Sequence, residues 1–265
     1  MRRPILLGVT AGVAALALGL AGCAPAVAGD PRGGGADPGS RLSGSLTVFA
    51  AASLSAAFDE LATVFEERHP SVDVRPITYD GSSTLATQII EGAPVDVFAA
   101  ADEGTMRRVV DEGLADAPVV FATNTLVLVV PARGGAGVES LDDLAEPDVT
   151  VVLCAPEVPC GAASATLLAG AGVTASVDSY EQNVAAVLAK VGAGEADAGL
   201  VYVTDAATTA AVEAIPVTGA DRVVNRYPIA ALAESGNMPA AEAFVGLVRG
   251  PEGRSVLVAL GFGAP

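Results

Sequence analysis

The residues of this chain with chemical potential are a scattered set of neutral hydrogen-bond donors, with neither a nucleophile beside a base nor a metal cluster among them. They are Ser53, the turn Gly81-Ser82-Ser83, the turn Pro159-Cys160-Gly161, the pair Asn183-Val184, and Tyr202. The first four fall where a short apolar run gives way to an amphipathic stretch, which is where a strand ends and a helix begins. A helix start carries unpaired N–H groups and partial positive charge, so it suits an anion without any formal cation. The two serine sites add hydroxyls, and no Arg or Lys lies within these loops. Several donors around one tetrahedral anion would each contribute roughly 1.5–3 kcal/mol. Taken singly, each has a plainer reading: a Ser at a helix start is a cap, Gly-Ser-Ser is a common turn, and a Tyr at a strand end belongs to the core or its rim. Their combination and order carry the functional reading.

The elements that must position them alternate along the chain. Leu46–Ala51, Val72–Thr78, Val95–Ala99, Thr125–Val130, Val149–Leu153, Ala198–Val203 and Ile229–Leu232 read as strands. Ser53 is placed to cap a helix over Leu54–Glu67, in which Leu54, Phe58, Leu61, Val64 and Phe65 share a face. Further helices are expected over Ser82–Glu91, Thr105–Glu112, Leu141–Leu144, Cys160–Leu168, Asn183–Val191, Pro239–Val248 and Pro251–Leu260. The last two open on Pro, whose missing N–H costs nothing there. Strand-then-helix alternation predicts α/β structure with mostly parallel sheets flanked by helices. In such sheets ligands sit at the carboxyl ends of strands.

The N-terminal segment lies outside that pattern. Met1-Arg2-Arg3 is followed by apolar or small residues from Ile5 to Ala21 and then Gly22-Cys23. This is the layout of a secretory signal over residues 1–22, whose end resembles the lipobox of bacterial lipoproteins, in which the Cys becomes the acylated first residue. A retained membrane anchor is the alternative, although the run is near the lower length limit for one. Residues 23–43 read as a flexible tether, because Asp30–Ser43 is rich in Gly, Pro, Asp and Ser. The expected location is therefore outside the cell membrane, held there by lipid on Cys23.

Charge and cysteine usage narrow the function. The formal net charge is −17, which repels nucleic acid and anionic lipid. It also repels an anion at long range, so any anion site has to be built from local dipoles. With Cys23 lipidated, Cys154 and Cys160 remain, and export favours a disulfide between them over two free buried thiols. The single His, His69, argues against His-based catalysis and a His-rich zinc site. Asp96, Asp102 and Asp205 have no metal-type spacing, and neither Ser53 nor Ser82 has a His in a nearby motif. An enzyme is disfavoured on those grounds.

Five segments taken together resemble the periplasmic molybdate-binding proteins of ABC transporters. They are Val48-Phe49-Ala50-Ala51-Ala52-Ser53-Leu54, Gly81-Ser82-Ser83-Thr84-Leu85-Ala86, Gly92 to Asp102, Pro156 to Gly161, and Ala198-Gly199-Leu200-Val201-Tyr202-Val203-Thr204-Asp205-Ala206. The resemblance runs from about Ser45 to Phe262. It implies a two-lobed, hinged periplasmic-binding-protein fold of type II with the ligand in the cleft. Lobe one would hold 44–121 plus 226–265, and lobe two 122–225. Ser53 and Ser82 would donate from one lobe. The amides of Cys160 and Val184 and the Tyr202 hydroxyl would donate from the other. Cys160 departs from the small residue common in the family, but only its amide is needed. The implied ligand is molybdate or tungstate, without a cofactor and without direct protein ligation of the metal. The implied partner is an ABC importer permease, and the implied state is a monomer.

Protonated phosphate needs an acceptor that neutral donors lack, and an unmatched buried group costs about 1–3 kcal/mol. Sulfate is the closer rival and differs in size alone. The alternatives are a sulfate or other oxyanion carrier, and a lipoprotein that senses an anion without transporting it.

Overall fold

The computed structural model describes residues 42–134 and 136–265. The expected leader, Cys23 and nearly all of the expected tether lie outside the described residues. The elements in chain order are β1 (Gly44–Leu46), β2 (Val48–Ala51), α1 (Ser55–Arg68), β3 (Val72–Val74), β4 (Thr78–Asp80), α2 (Ser82–Ile90), β5 (Val97–Ala99), α3 (Glu103–Asp111), β6 (Val119–Asn124), β7 (Leu126–Pro131), β8 (Val151–Cys154), α4 (Pro159–Ala171), β9 (Val177–Glu181), α5 (Val184–Gly192), β10 (Ala198–Tyr202), α6 (Val203–Ala206), β11 (Val212–Ile215), β12 (Asn225–Ala231), α7 (Met238–Arg249) and α8 (Pro251–Ala259).

Two five-stranded sheets organise these elements. The first has the order β4-β2-β5-β12-β6 and the second β11-β7-β10-β8-β9, while β1 and β3 form a separate pair. In the first sheet β12 runs against both neighbours and the other four strands share one direction. In the second sheet β7 plays the same part. The reversed strand in each sheet is the one by which the chain enters it from the other. The chain leaves the first sheet at Asn124, enters the second at Leu126, and returns between Ile215 and Asn225. Both sheets belong to one compact unit that runs to Pro265.

Hydrophobic burial holds each sheet in its layer. On one face of the first sheet, Phe58, Leu61 and Phe65 of α1 meet Phe244 of α7 and Leu257 of α8. Here the Phe58, Phe65 and Phe244 rings meet at centroid distances of 5.3–5.9 Å. On the other face, Leu85 and Ile89 of α2 and Met106 and Val109 of α3 cover Phe49 and Phe98. The second sheet has its own core, from Leu128 and Val152 to Val187 and Val191 of α5.

The first expected strand is broken at Thr47, whose N–H donates to the Asp96 carboxylate at 2.7 Å. Asp96 also takes the Ser235 hydroxyl at 2.6 Å, so this buried carboxylate is a structural clip. The second expected strand divides into β3 and β4. Strands β6, β9 and β11 had no sequence expectation, and β12 begins four residues before the expected Ile229.

Candidate functional site

Each expected donor lies where a strand hands over to a helix. A 3-10 turn, Ala52–Leu54, joins β2 to α1, and Ser53 sits buried within it. Contrary to the capping expectation, the Ser53 side chain caps neither this turn nor α1. Its Oγ lies 3.0 Å from the Tyr227 hydroxyl instead. Ser82 is the first residue of α2, whose start likewise has no side-chain cap. The Ser82 Oγ accepts the Ala101 N–H at 3.0 Å. The two hydroxyls are therefore free of their own helices, which is what a ligand role requires.

The second half supplies the other three positions. Cys154, the last residue of β8, is joined by a disulfide to Cys160 near the start of α4, with Cα atoms 5.7 Å apart. The bridge folds the Ala155–Pro159 loop tightly. A Cβ on Gly161 would lie 1.8 Å from the Ala155 carbonyl oxygen, so only glycine lets the helix start approach the strand end this closely. Val184 opens α5, with Asn183 as its cap accepting the Ala186 N–H at 3.0 Å. Tyr202 ends β10. Its ring is buried and its hydroxyl has no hydrogen-bond partner among the described residues. Burial, then Tyr227 and Asp205, hold its pKa well above the usual range, so it remains a neutral donor.

These parts meet. One small cavity is lined by Ser53, Ser82, Cys160, Val184 and Tyr202, together with Asp80, Gly81, Ala101, Val158, Pro159 and Asn183. No Arg, Lys or His lines it. The single carboxylate at its edge, Asp80, accepts the Gly81 N–H and the Asn183 side-chain amide through Oδ1, both at 2.7 Å. Asp102 caps α3 by accepting the Thr105 N–H. Asp205 is buried behind Tyr202, where burial pushes its carboxyl up to about 7, partly countered by the Tyr202 N–H. Asp96, Asp102 and Asp205 thus have three separate structural tasks.

The walls of the cavity are tied across the two halves. Asn183 beside α5 donates to Asp80 of β4. The Ser83 hydroxyl of α2 donates to the Glu157 carbonyl at 2.6 Å. Gly81 lies against the second half so closely that a Cβ there would sit 2.1 Å from the Gln182 carbonyl oxygen. Tyr227, the residue behind Ser53, had no place in the sequence reading. The expected strand began only at Ile229, whereas β12 runs through Tyr227 and Pro228 and accommodates the proline with a register shift between them. A Tyr just before that Pro, in the strand returning from one sheet to the other, is the available signal.

Two α/β halves, each with one reversed strand, and a donor-lined cavity where their helix starts converge define the class of two-lobed solute-binding proteins. Residues 46–263 match the family model for bacterial extracellular solute-binding proteins, and the chain belongs to that family. Among its relatives, the molybdate-binding protein ModA of Mycobacterium tuberculosis is 43% identical over 223 residues, covering 83% of this chain and 85% of ModA. ModA of Escherichia coli is 32% identical over 231 residues, covering 83% and 89%. Among solved structures, the Azotobacter vinelandii periplasmic molybdate-binding protein superposes with a TM-score of 0.71 at 21% identity, covering 83% of this chain and 99% of that one. The Mycobacterium tuberculosis sulfate-binding protein SubI also gives 0.71, at 20% identity, covering 82% and 86%. These two structural likenesses speak for the fold, and they do so equally for proteins of different ligands.

Proposed function

We propose that this protein captures molybdate, and tungstate beside it, outside the membrane and delivers it to an ABC importer. One observation carries the reading: five neutral donors named from the sequence line a single cavity, and one of them, the Tyr202 hydroxyl, is buried without a hydrogen-bond partner among the described residues. An unsatisfied buried hydroxyl is costly, and an anion seated there would relieve that cost. The contacts would be the hydroxyls and amides of Ser53 and Ser82, the amides of Cys160 and Val184, and the Tyr202 hydroxyl. The identity to ModA supports molybdate over sulfate.

The halves 44–121 plus 226–265 and 122–225 would open and close about the two crossings, with the anion favouring closure by touching both. The importer would read the closed form. Lipid on Cys23 would hold the protein, as a monomer, at the outer face of the membrane.

Thermal melts with molybdate, tungstate, sulfate, phosphate and nitrate test the assignment. At one hundred times its dissociation constant a ligand stabilises by about 2.7 kcal/mol, so molybdate and tungstate should raise the melting temperature clearly and phosphate should not. Stabilisation by sulfate alone would overturn the molybdate assignment, and no response to any oxyanion would overturn the class. In the same assay Tyr202→Phe and Ser53→Ala should each weaken molybdate by at least about tenfold, the loss of one charge-assisted bond.

A further inference from the structure

Resting on that reading, we propose that Asp80 and Asn183 are positioning residues that latch the two halves together: one carboxylate oxygen of Asp80 holds the starts of α2 and α5 against each other, so that the Ser82 and Val184 donors converge on the anion and its release is slowed.

A carboxylate is out of place at the edge of a cavity that takes an anion. Asp80 is the one charged residue among the described residues that line it, and its charge would repel the ligand. A task that outweighs that repulsion is visible in its bonds. Strand pairing sets it there. Asp80 ends β4 opposite Ala51, the last residue of β2. In the other half Glu181 ends β9 opposite Cys154, the last residue of β8, and Asn183 follows two residues on.

The chemistry of the partners fixes the direction of each bond. The Ala186 N–H can only donate, and it donates to Asn183 Oδ1 at 3.0 Å. The other end of that side chain is therefore its NH2 group, which donates to Asp80 Oδ1 at 2.7 Å. The same Oδ1 accepts the Gly81 N–H at 2.7 Å, and Gly81 immediately precedes Ser82 at the start of α2. Asn183 thus caps α5 with its oxygen and reaches the other half with its nitrogen. Asp80 answers it by touching the start of α2 through Gly81 and the start of α5 through Asn183. Bonds to a charged acceptor are the stronger kind.

The same corner brings the backbones together. Ser83 donates to the Glu157 carbonyl at 2.6 Å, and Gly81 is seated on Gln182. A bond made only with the halves together favours closure beyond the ligand's own contacts. Its effect falls chiefly on the rate at which the anion leaves.

The test uses the full folded chain, with affinity from calorimetric titration with molybdate and release from the loss of radiolabelled molybdate after dilution into unlabelled molybdate. Asn183→Ser keeps a cap for α5 and the net charge but removes the amide. Asp80→Ala removes the acceptor. Each should weaken molybdate by about tenfold, the loss of one bond to a charged group, mainly through faster release. The double variant should lose no more than either single one, because both remove the same bond. Asn183→Asp sets two carboxylates face to face and should weaken binding further, and adding Asp80→Asn to it should recover part of that loss by rebuilding the bond in reverse. Unchanged or tighter binding in Asp80→Ala would mean that the carboxylate only repels the anion. That result, additive losses, or no recovery in the exchanged pair would overturn the latch while leaving the oxyanion reading intact. A wild-type protein that binds no oxyanion would overturn both.

Discussion

Asp205 is the residue whose chemistry is most altered by its place. A carboxyl ordinarily titrates near 4, and this one is pushed up to about 7 because it is buried behind Tyr202. Between those values the folded protein keeps a proton that the unfolded chain has lost. The stabilising contribution is therefore complete below about pH 4 and disappears as pH rises through about 7. Asp205→Asn removes the titration and can still accept the Tyr202 N–H. Denaturant unfolding at pH 5 and pH 8 should show the wild type losing roughly 2–3 kcal/mol relative to the variant across that interval. Parallel pH profiles would place the Asp205 carboxyl in the ordinary range.

At the scale of elements, the site depends on how firmly each helix start is bolted to the strand before it. For α4 the bolts are the Cys154–Cys160 bridge and the close seat of Gly161 on Ala155. Closing so short a loop adds roughly 2 kcal/mol in the chain-entropy picture. Reduction should lower stability by that order and weaken molybdate binding measured by titration, because the Cys160 amide loses its fixed direction. Unchanged affinity in the reduced protein would leave the bridge a purely stabilising role. The elements also divide by how readable they were. The inner strands β2, β5, β7, β8 and β10 are buried along nearly their whole length, and their continuous apolar runs announce them. The edges β4, β6, β9 and β11 were missed or misplaced. Val177–Glu181 and Val212–Ile215 carry polar residues and bury little, as edge strands do. The candidate donor positions were legible from their place at strand ends and from the family resemblance, not from capping, which neither Ser53 nor Ser82 performs. Tyr227 was not, because its partner Ser53 lies 174 residues away and no local pattern spans that distance.

For the whole molecule, the decisive contacts are those that pass between the halves. Gly81 has a φ of −58°, a conformation open to any residue, so its lack of a side chain serves the approach to Gln182 and not the backbone. Gly81→Ala would place a methyl group 2.1 Å from that carbonyl oxygen and hold the halves apart like a wedge. The variant should melt like the wild type without ligand, bind molybdate at least about tenfold more weakly, and show no ligand-induced contraction in small-angle scattering. Contraction equal to the wild type's would mean that the halves do not move against each other at this point. The residues where the chain leaves and re-enters the first sheet, Asn124 and Asn225, stand opposite each other in the same ladder. Two strands pinned side by side can flex together but resist being twisted, as a gate on two hinge pins swings in a single plane. On the proposed hinge, opening would be confined to one arc, and whatever the cavity holds would come and go by the same mouth.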